Sequence, residues 1–162
     1  MISVWLICVG KLKEKFYIDA CAEYAKRLGA YCKLTVLELP EEKLPPRPAP
    51  AQIAAALARE AQAVRAKLPP GSYVTALCVE GRLRSSEELA VKLRGGPGGA
   101  CGARHLVFLI GSSYGLDPSL KAEAQDRLSM SPMTFPHHLA RVMLLEQLYR
   151  GFKINEGGTY HK

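Results

Sequence analysis

Apolar and polar positions along the chain switch repeatedly between two periods. Ile2–Val9 is an almost unbroken apolar run closed by Gly10, the pattern of a strand buried on both faces. From Lys13 to Gly29 the spacing changes. Phe16, Ala20, Tyr24 and Leu28 recur every four residues, which predicts a helix with Gly29 as its C-terminal cap. Leu34–Leu39 brings in β-branched Thr35 and Val36 and stops at Pro40, as a second strand would. Pro45, Pro46, Pro48 and Pro50 exclude both a helix interior and a central strand, so this stretch is expected to be a stiff surface connection. Ala51–Leu68 is rich in Ala with Glu and Arg, and predicts a helix that Pro69, Pro70 and Gly71 end. Ser72–Val79 follows as a buried strand.

Ser85 or Ser86 is placed to cap a helix reaching Arg94, with Glu87 and Glu88 in the first turn where the helix dipole favours them. Gly95–Gly102 reads as a flexible loop. His105–Ile110 is the most apolar strand and runs straight into Gly111-Ser112-Ser113-Tyr114-Gly115. Asp117 and Pro118 open a short helix to Asp126, Leu128–Phe135 is strand-like though Pro132 interrupts it, and Pro136 opens a last helix, His137–Phe152. The last helix is apolar around more than half its circumference, so it is expected to be covered on more than one side. Strands and helices thus alternate about five times, which predicts an α/β fold with a mostly parallel sheet flanked by helices on both faces. The 162 residues are expected to form a single domain (1–162), long enough to bury a core without staples. Ligands on such sheets bind beyond the carboxyl ends of the strands.

Composition narrows the function classes. With 48% hydrophobic and 23% charged residues, the chain is neither disordered, collagenous nor a coiled coil. No apolar run is long enough to span a membrane. The apolar start precedes Lys11, Lys13 and Lys15, the reverse of a signal peptide, so a cytoplasmic protein is expected. Five cysteines without a CxxC pair argue against a disulfide framework and a zinc site, and no metal is expected. Lys plus Arg number 22 against 15 Asp plus Glu, and the net charge of +7 favours a polyanionic partner.

Four segments could carry chemistry. Gly111–Gly115 follows the most buried strand, but it is neither GxGxxG nor a Walker loop and reads equally as a ligand loop or a tight turn. Met130–Phe135 combines a proline break, two thioethers and an aromatic ring. That mixture suits wrapping a flat ligand, or filling core before a turn. Arg141 lies four residues past His137 on the same helical face, as a phosphate contact or a solvated charge. Residues 157–162 read as a frayed end, or as a glycine-hinged arm carrying Tyr160, His161 and Lys162.

VGKLKEKFY, EYAKRLG, VTALCVEGR, LIGSSYGL, LSMSPMTFPHHLARVMLLEQLYRGFKI and the terminal YHK occur in this order along the chain. Through these motifs nearly the whole chain resembles the ribosomal RNA large subunit methyltransferase H family, of the SPOUT class. The resemblance implies a SPOUT-type α/β fold with a C-terminal trefoil knot and a homodimer. It implies S-adenosylmethionine as methyl donor and, as acceptor, ring N3 of a pseudouridine in helix 69 of 23S ribosomal RNA on the ribosome. Carried over by position, the donor contacts Leu77, Gly111, Met130, Ser131, Pro132, Met133, Thr134 and Phe135. Arg141, Tyr160 and His161 match residues near the acceptor, as catalytic groups contributed by the partner subunit. Two positions depart from the family. Ser112 stands where a second glycine is frequent, so its Cβ is expected to crowd the donor. Lys162 stands where some members have Arg, which exchanges a planar fork for a point charge. Two alternatives stay open: an RNA-binding relative that has lost catalysis, and a small α/β protein that binds a nucleotide metabolite.

Overall fold

The computed structural model describes residues 1–94 and 102–162. The chain runs β1 (Ile2–Val9), α1 (Lys15–Leu28), β2 (Cys32–Leu39), α2 (Pro50–Lys67), β3 (Ser72–Leu83), α3 (Ser86–Leu93), β4 (His105–Ile110), α4 (Pro118–Glu123), β5 (Asp126–Ser129) and α5 (His137–Asn155). The five strands form one sheet in the order β2-β1-β4-β3-β5, with every pairing parallel. The central strands β1 and β4 are apolar on both faces because both faces are covered. On one side Val4, Leu6, Cys8, Phe108 and Ile110 meet Leu28 of α1, Leu89 and Leu93 of α3, and Leu144, Leu145 and Leu148 of α5. On the other, Ile7, Val9, Val107 and Leu109 meet Ala61 and Val64 of α2 and Leu120 of α4. The alternation within β1 (Leu6 and Cys8 one way, Ile7 and Val9 the other) is the period of two that a pleated strand imposes.

The expected wide covering of the last helix is met within one chain, since α5 packs on the sheet and against both α1 and α3. Gly151 permits the approach to α3, where a Cβ would stand 2.7 Å from Leu93 Cδ1. Ser85 caps α3 as expected. Its hydroxyl accepts from Glu88 N at 3.1 Å and the Glu88 carboxylate accepts from Ser85 N at 2.8 Å. Pro50 is the first residue of α2, where its missing N–H is no loss.

Several boundaries differ from the sequence reading. Gly29 is not a left-handed cap: its φ of −57° is helical, and its N–H bonds back to Ala25 and Lys26. The expected loop 95–102 lies, apart from Gly102, outside the described residues, as does Cys101. The helix from Asp117 ends at Glu123, and the last strand is Asp126–Ser129 rather than 128–135. Pro132 has no N–H for a sheet ladder, so the chain leaves the sheet before it. β3 runs on to Leu83 with a register shift between Leu77 and Arg82. Gly81 allows this close pass, because a Cβ there would lie 2.8 Å from the Leu128 carbonyl carbon.

Asp126 anchors the β5 edge. Its carboxylate accepts from Arg84 Nη2 at 2.7 Å and from the Lys92 ammonium, with all three side chains largely buried. Burial alone would push this carboxyl up, but the two cations prevail and hold it below the ordinary value of 3.8. The folded-state pKa is thus depressed, so the stabilisation is present above pH 3.8 and is lost as pH falls through the lower folded value. Asp126→Asn leaves two cations without a counter-charge and is expected to lower stability by about 3 kcal/mol at neutral pH. Urea unfolding checks this, and the gap between variant and wild type is expected to narrow below pH 3.8.

Candidate active site

The turn after β4 is built by two glycines for different reasons. Gly115 N–H donates to the Ser112 carbonyl at 2.8 Å, closing a turn in which Gly115 has φ of +83°. That turn folds back onto Gly111, where a Cβ would stand 2.3 Å from both the carbonyl carbon and oxygen of Gly115. Beside it lie Leu77 in β3 and the irregular chain that follows β5. Together they enclose a cavity of about 780 Å³. Leu77, Ile110, Leu116, Leu128 and Met130 give it apolar walls, and an ion pair of Lys121 with Glu80 at 2.5 Å stands at its polar side. Of the expected donor contacts, Leu77, Gly111, Met130, Ser131, Met133, Thr134 and Phe135 border this cavity, whereas Pro132 does not. Ser129 Oγ donates to the Ser131 carbonyl and Ser131 Oγ accepts from Met133 N–H, both at 3.0 Å, so short side chains shape this irregular stretch. Met133 is 71% exposed, an apolar side chain held in the open at the rim.

Ser112, where a second glycine is frequent in the family, is held by its side chain. Ser112 borders the cavity but is only 5% exposed, and its hydroxyl is drawn to α2, where it donates to Glu60 Oε1 at 2.9 Å.

Arg141 is neither solvated nor turned outward. It is 3% exposed, with Nη1 donating to Glu38 Oε2 at 2.7 Å and Nη2 to the Gly10 carbonyl at 3.1 Å. The same Glu38 oxygen accepts Leu12 N–H at 2.9 Å. Burial raises the Glu38 carboxyl, but Arg141 and Leu12 outweigh it and hold the group below its ordinary value. In the single chain both Nη atoms of the guanidinium are thus committed to Glu38 and Gly10. The guanidinium ties the turn after β1 to α5, and that turn carries Lys11 and Lys13 past His137 and His138 to Lys15 at the start of α1. His137 borders the cavity, and its burial lowers its proton affinity.

The C-terminal arm is docked rather than frayed. Tyr160 Oη donates to Glu146 Oε1 at 3.1 Å, its ring meets Tyr149 edge-on at 4.9 Å, and the Arg150 guanidinium lies 4.8 Å from it. Burial, then the bond to Glu146, pushes the Tyr160 phenol up to about 12. His161 Nε2 lies 2.8 Å from Glu87 Oε1, and its Nδ1 lies 3.3 Å from Arg150 Nη1. Glu146 also pairs with Arg150, four residues on in α5, at 2.5 Å. None of these partners borders the Gly111 cavity, so one chain does not bring its own Tyr160 and His161 to its own turn.

Among the described residues no helix is long and apolar enough to cross a membrane, and no group of three or more His, Cys, Asp or Glu could hold a metal ion. The family described as "Predicted SPOUT methyltransferase" matches residues 2–161. A protein from Ligilactobacillus salivarius named ribosomal RNA large subunit methyltransferase H is 44% identical over 160 residues, 99% of each chain. One of the same name from Bifidobacterium adolescentis is 45% identical over 160 residues, again 99% of each. A solved structure of a probable methylase family protein from Haemophilus influenzae shares the fold at a TM-score of 0.55 and 15% identity, over 96% of this chain and 67% of that one. The strand order, the glycine turn at the sheet's carboxyl edge and these full-length matches together place the chain in the ribosomal RNA large subunit methyltransferase H family of SPOUT methyltransferases.

Proposed function

We propose that the protein transfers a methyl group from S-adenosylmethionine to ring N3 of a pseudouridine in helix 69 of 23S ribosomal RNA, acting as a homodimer on ribosomes in the cytoplasm. The observation that carries this reading is the Gly111 cavity. Seven of the eight donor contacts carried over from the family border one space, in a chain 44% identical along its length to a protein named for ribosomal RNA methylation. At about 780 Å³ it falls within the usual range for cofactor pockets, and its apolar walls with a polar side suit a nucleoside that ends in a charged amino acid. The trefoil knot belongs to the same reading. It follows from membership of the SPOUT family.

The donor, when bound, supplies an electrophilic methyl on a sulfonium, so the hard chemistry is the cofactor's. What remains for the protein is to align the acceptor and remove its proton, since a ring imide N–H is a poor nucleophile. His161, delivered by the partner copy, takes that proton directly or through a water it holds, and Tyr160 of the same arm stacks near the ring. Arg141 serves from a distance by fixing the turn that presents Lys11 and Lys13 to phosphates. RNA affinity is then expected to fall steeply between low and physiological salt, as each neutralised phosphate releases counterions. A flat salt response in a filter-binding titration would remove the lysines from this role.

The decisive experiment incubates ribosomes lacking the methyl with protein and donor, and weighs the helix-69 nucleosides. One added methyl on the pseudouridine is expected. Ribosome binding without transfer would mark a non-catalytic relative instead.

A further inference from the structure

Within α2 the face turned to the sheet is apolar, Ala56, Ala61 and Val64, except for Glu60, which is 6% exposed among them. A carboxylate so placed is unfavourable unless its oxygens are satisfied. Among the described residues no cation pairs with it. Its two oxygens instead accept from two loops, Oε1 from Ser112 Oγ at 2.9 Å and Oε2 from Glu42 N–H at 2.9 Å. Glu41, next in the chain, accepts from Ser113 at the same turn, from N–H at 3.3 Å and from Oγ at 2.5 Å. Glu41 after β2 and Glu60 from α2 therefore close on both serines of the turn, and the Glu42 backbone N–H holds Glu60 in place. Burial pushes the Glu60 carboxyl above its ordinary value, while its two donors oppose that shift.

We propose that Glu60 is a positioning residue of the donor site: through Ser112 it holds the Gly111–Gly115 turn in its binding shape and couples that turn to the 41–42 segment. An apolar side chain would fill the same space on α2, so packing alone does not explain a carboxylate here. The proposal rests on the donor-binding reading above. It also gives Ser112 a role: the hydroxyl replaces the conformational freedom of a glycine with a tether.

The test is a double-mutant cycle on the full-length protein. Ser112→Ala removes the tether's donor and leaves Glu60 half-satisfied, so the Kd for S-adenosylmethionine in calorimetric titration is expected to rise about tenfold, a typical effect of unpairing a buried acceptor. Glu60→Ala is expected to do the same, whereas Glu60→Gln stays within about twofold, since its amide can accept from Glu42 N–H and donate to Ser112. In a Glu60→Ala background Ser112→Ala is expected to add nothing further. The KM for donor should rise while that for RNA holds. Hydrogen exchange of the amides at residues 111–115, measured without any ligand, should speed up in both alanine variants and not in Glu60→Gln. Unchanged Kd and unchanged exchange in Ser112→Ala would overturn the proposal even if Glu60→Ala fails to fold, and so would full additivity in the double variant. If wild type binds no donor, the functional reading fails, and the exchange data still decide whether the tether exists.

Discussion

Gly111→Ala is expected to abolish measurable donor binding, raising the Kd for S-adenosylmethionine at least about a hundredfold, and to lower folding stability by about 2–3 kcal/mol. The added methyl would meet the Gly115 carbonyl carbon and oxygen at 2.3 Å and Leu116 N at 2.8 Å. All three are backbone atoms, so no side-chain rotation relieves the contact. The turn itself must open, breaking the 2.8 Å bond from Gly115 N–H to the Ser112 carbonyl. Gly115→Ala is the matched control. Gly115 has φ of +83° but nothing within 4 Å of its would-be Cβ, so that variant meets only backbone strain of about 1–2 kcal/mol and no collision. The expected order is therefore Gly111→Ala far worse than Gly115→Ala, read by calorimetric titration with the donor and by thermal midpoint. A Gly111→Ala protein that binds donor like wild type would remove this turn from the donor site.

What the sequence made legible, and what it hid, divides along the range of the interactions involved. β1 and β4 are readable because an apolar run between breakers reports burial on both faces, and the start of α3 is readable to within one residue because Ser85 and Ser86 precede acidic Glu87 and Glu88. Gly111 and the Met130–Phe135 stretch stood out for a similar reason, since a glycine at a strand end and a proline in a strand-like run break local rules that the rest of the chain obeys. The burial of Arg141 is not legible because helical spacing gives a residue's face but not what covers it. Its partner Glu38 is 103 residues away, and nothing in the alternation of Leu34–Leu39 marks one carboxylate as an anchor. Glu60 escaped notice for the same cause: an acidic residue in an Ala-rich helix looks like solvated surface, and Ser112, which gives it meaning, is 52 residues distant. The docking of Tyr160 was hidden in part. Glu146 and Arg150 are joined by their i,i+4 spacing, but their third member returns from beyond the end of α5.

His161→Ala is expected to slow methyl transfer by about 10²–10³-fold while leaving donor affinity within about twofold, because a positioned base contributes roughly 10²–10⁴ to rate. Alignment of acceptor and methyl accounts for more, about 7–11 kcal/mol of barrier, and that work belongs to the cavity rather than the arm. Residual turnover in the variant is therefore part of the expectation, and single-turnover assays with bound donor separate it from a binding defect. In the single chain His161 rests between Glu87 and Arg150, away from its own cavity, so under the proposed function the base and the donor site that it serves come from different copies. Mixing tests this directly. A Gly111→Ala chain lacks a donor site but keeps its arm, and a His161→Ala chain has the reverse. Random 1:1 exchange of subunits in a two-fold dimer makes half the dimers mixed, each with one intact composite site, so about a quarter of wild-type activity should return from two nearly inactive proteins. Arms that act on their own chain's cavity would restore nothing, and an unchanged rate in His161→Ala alone would take the imidazole out of the chemistry altogether.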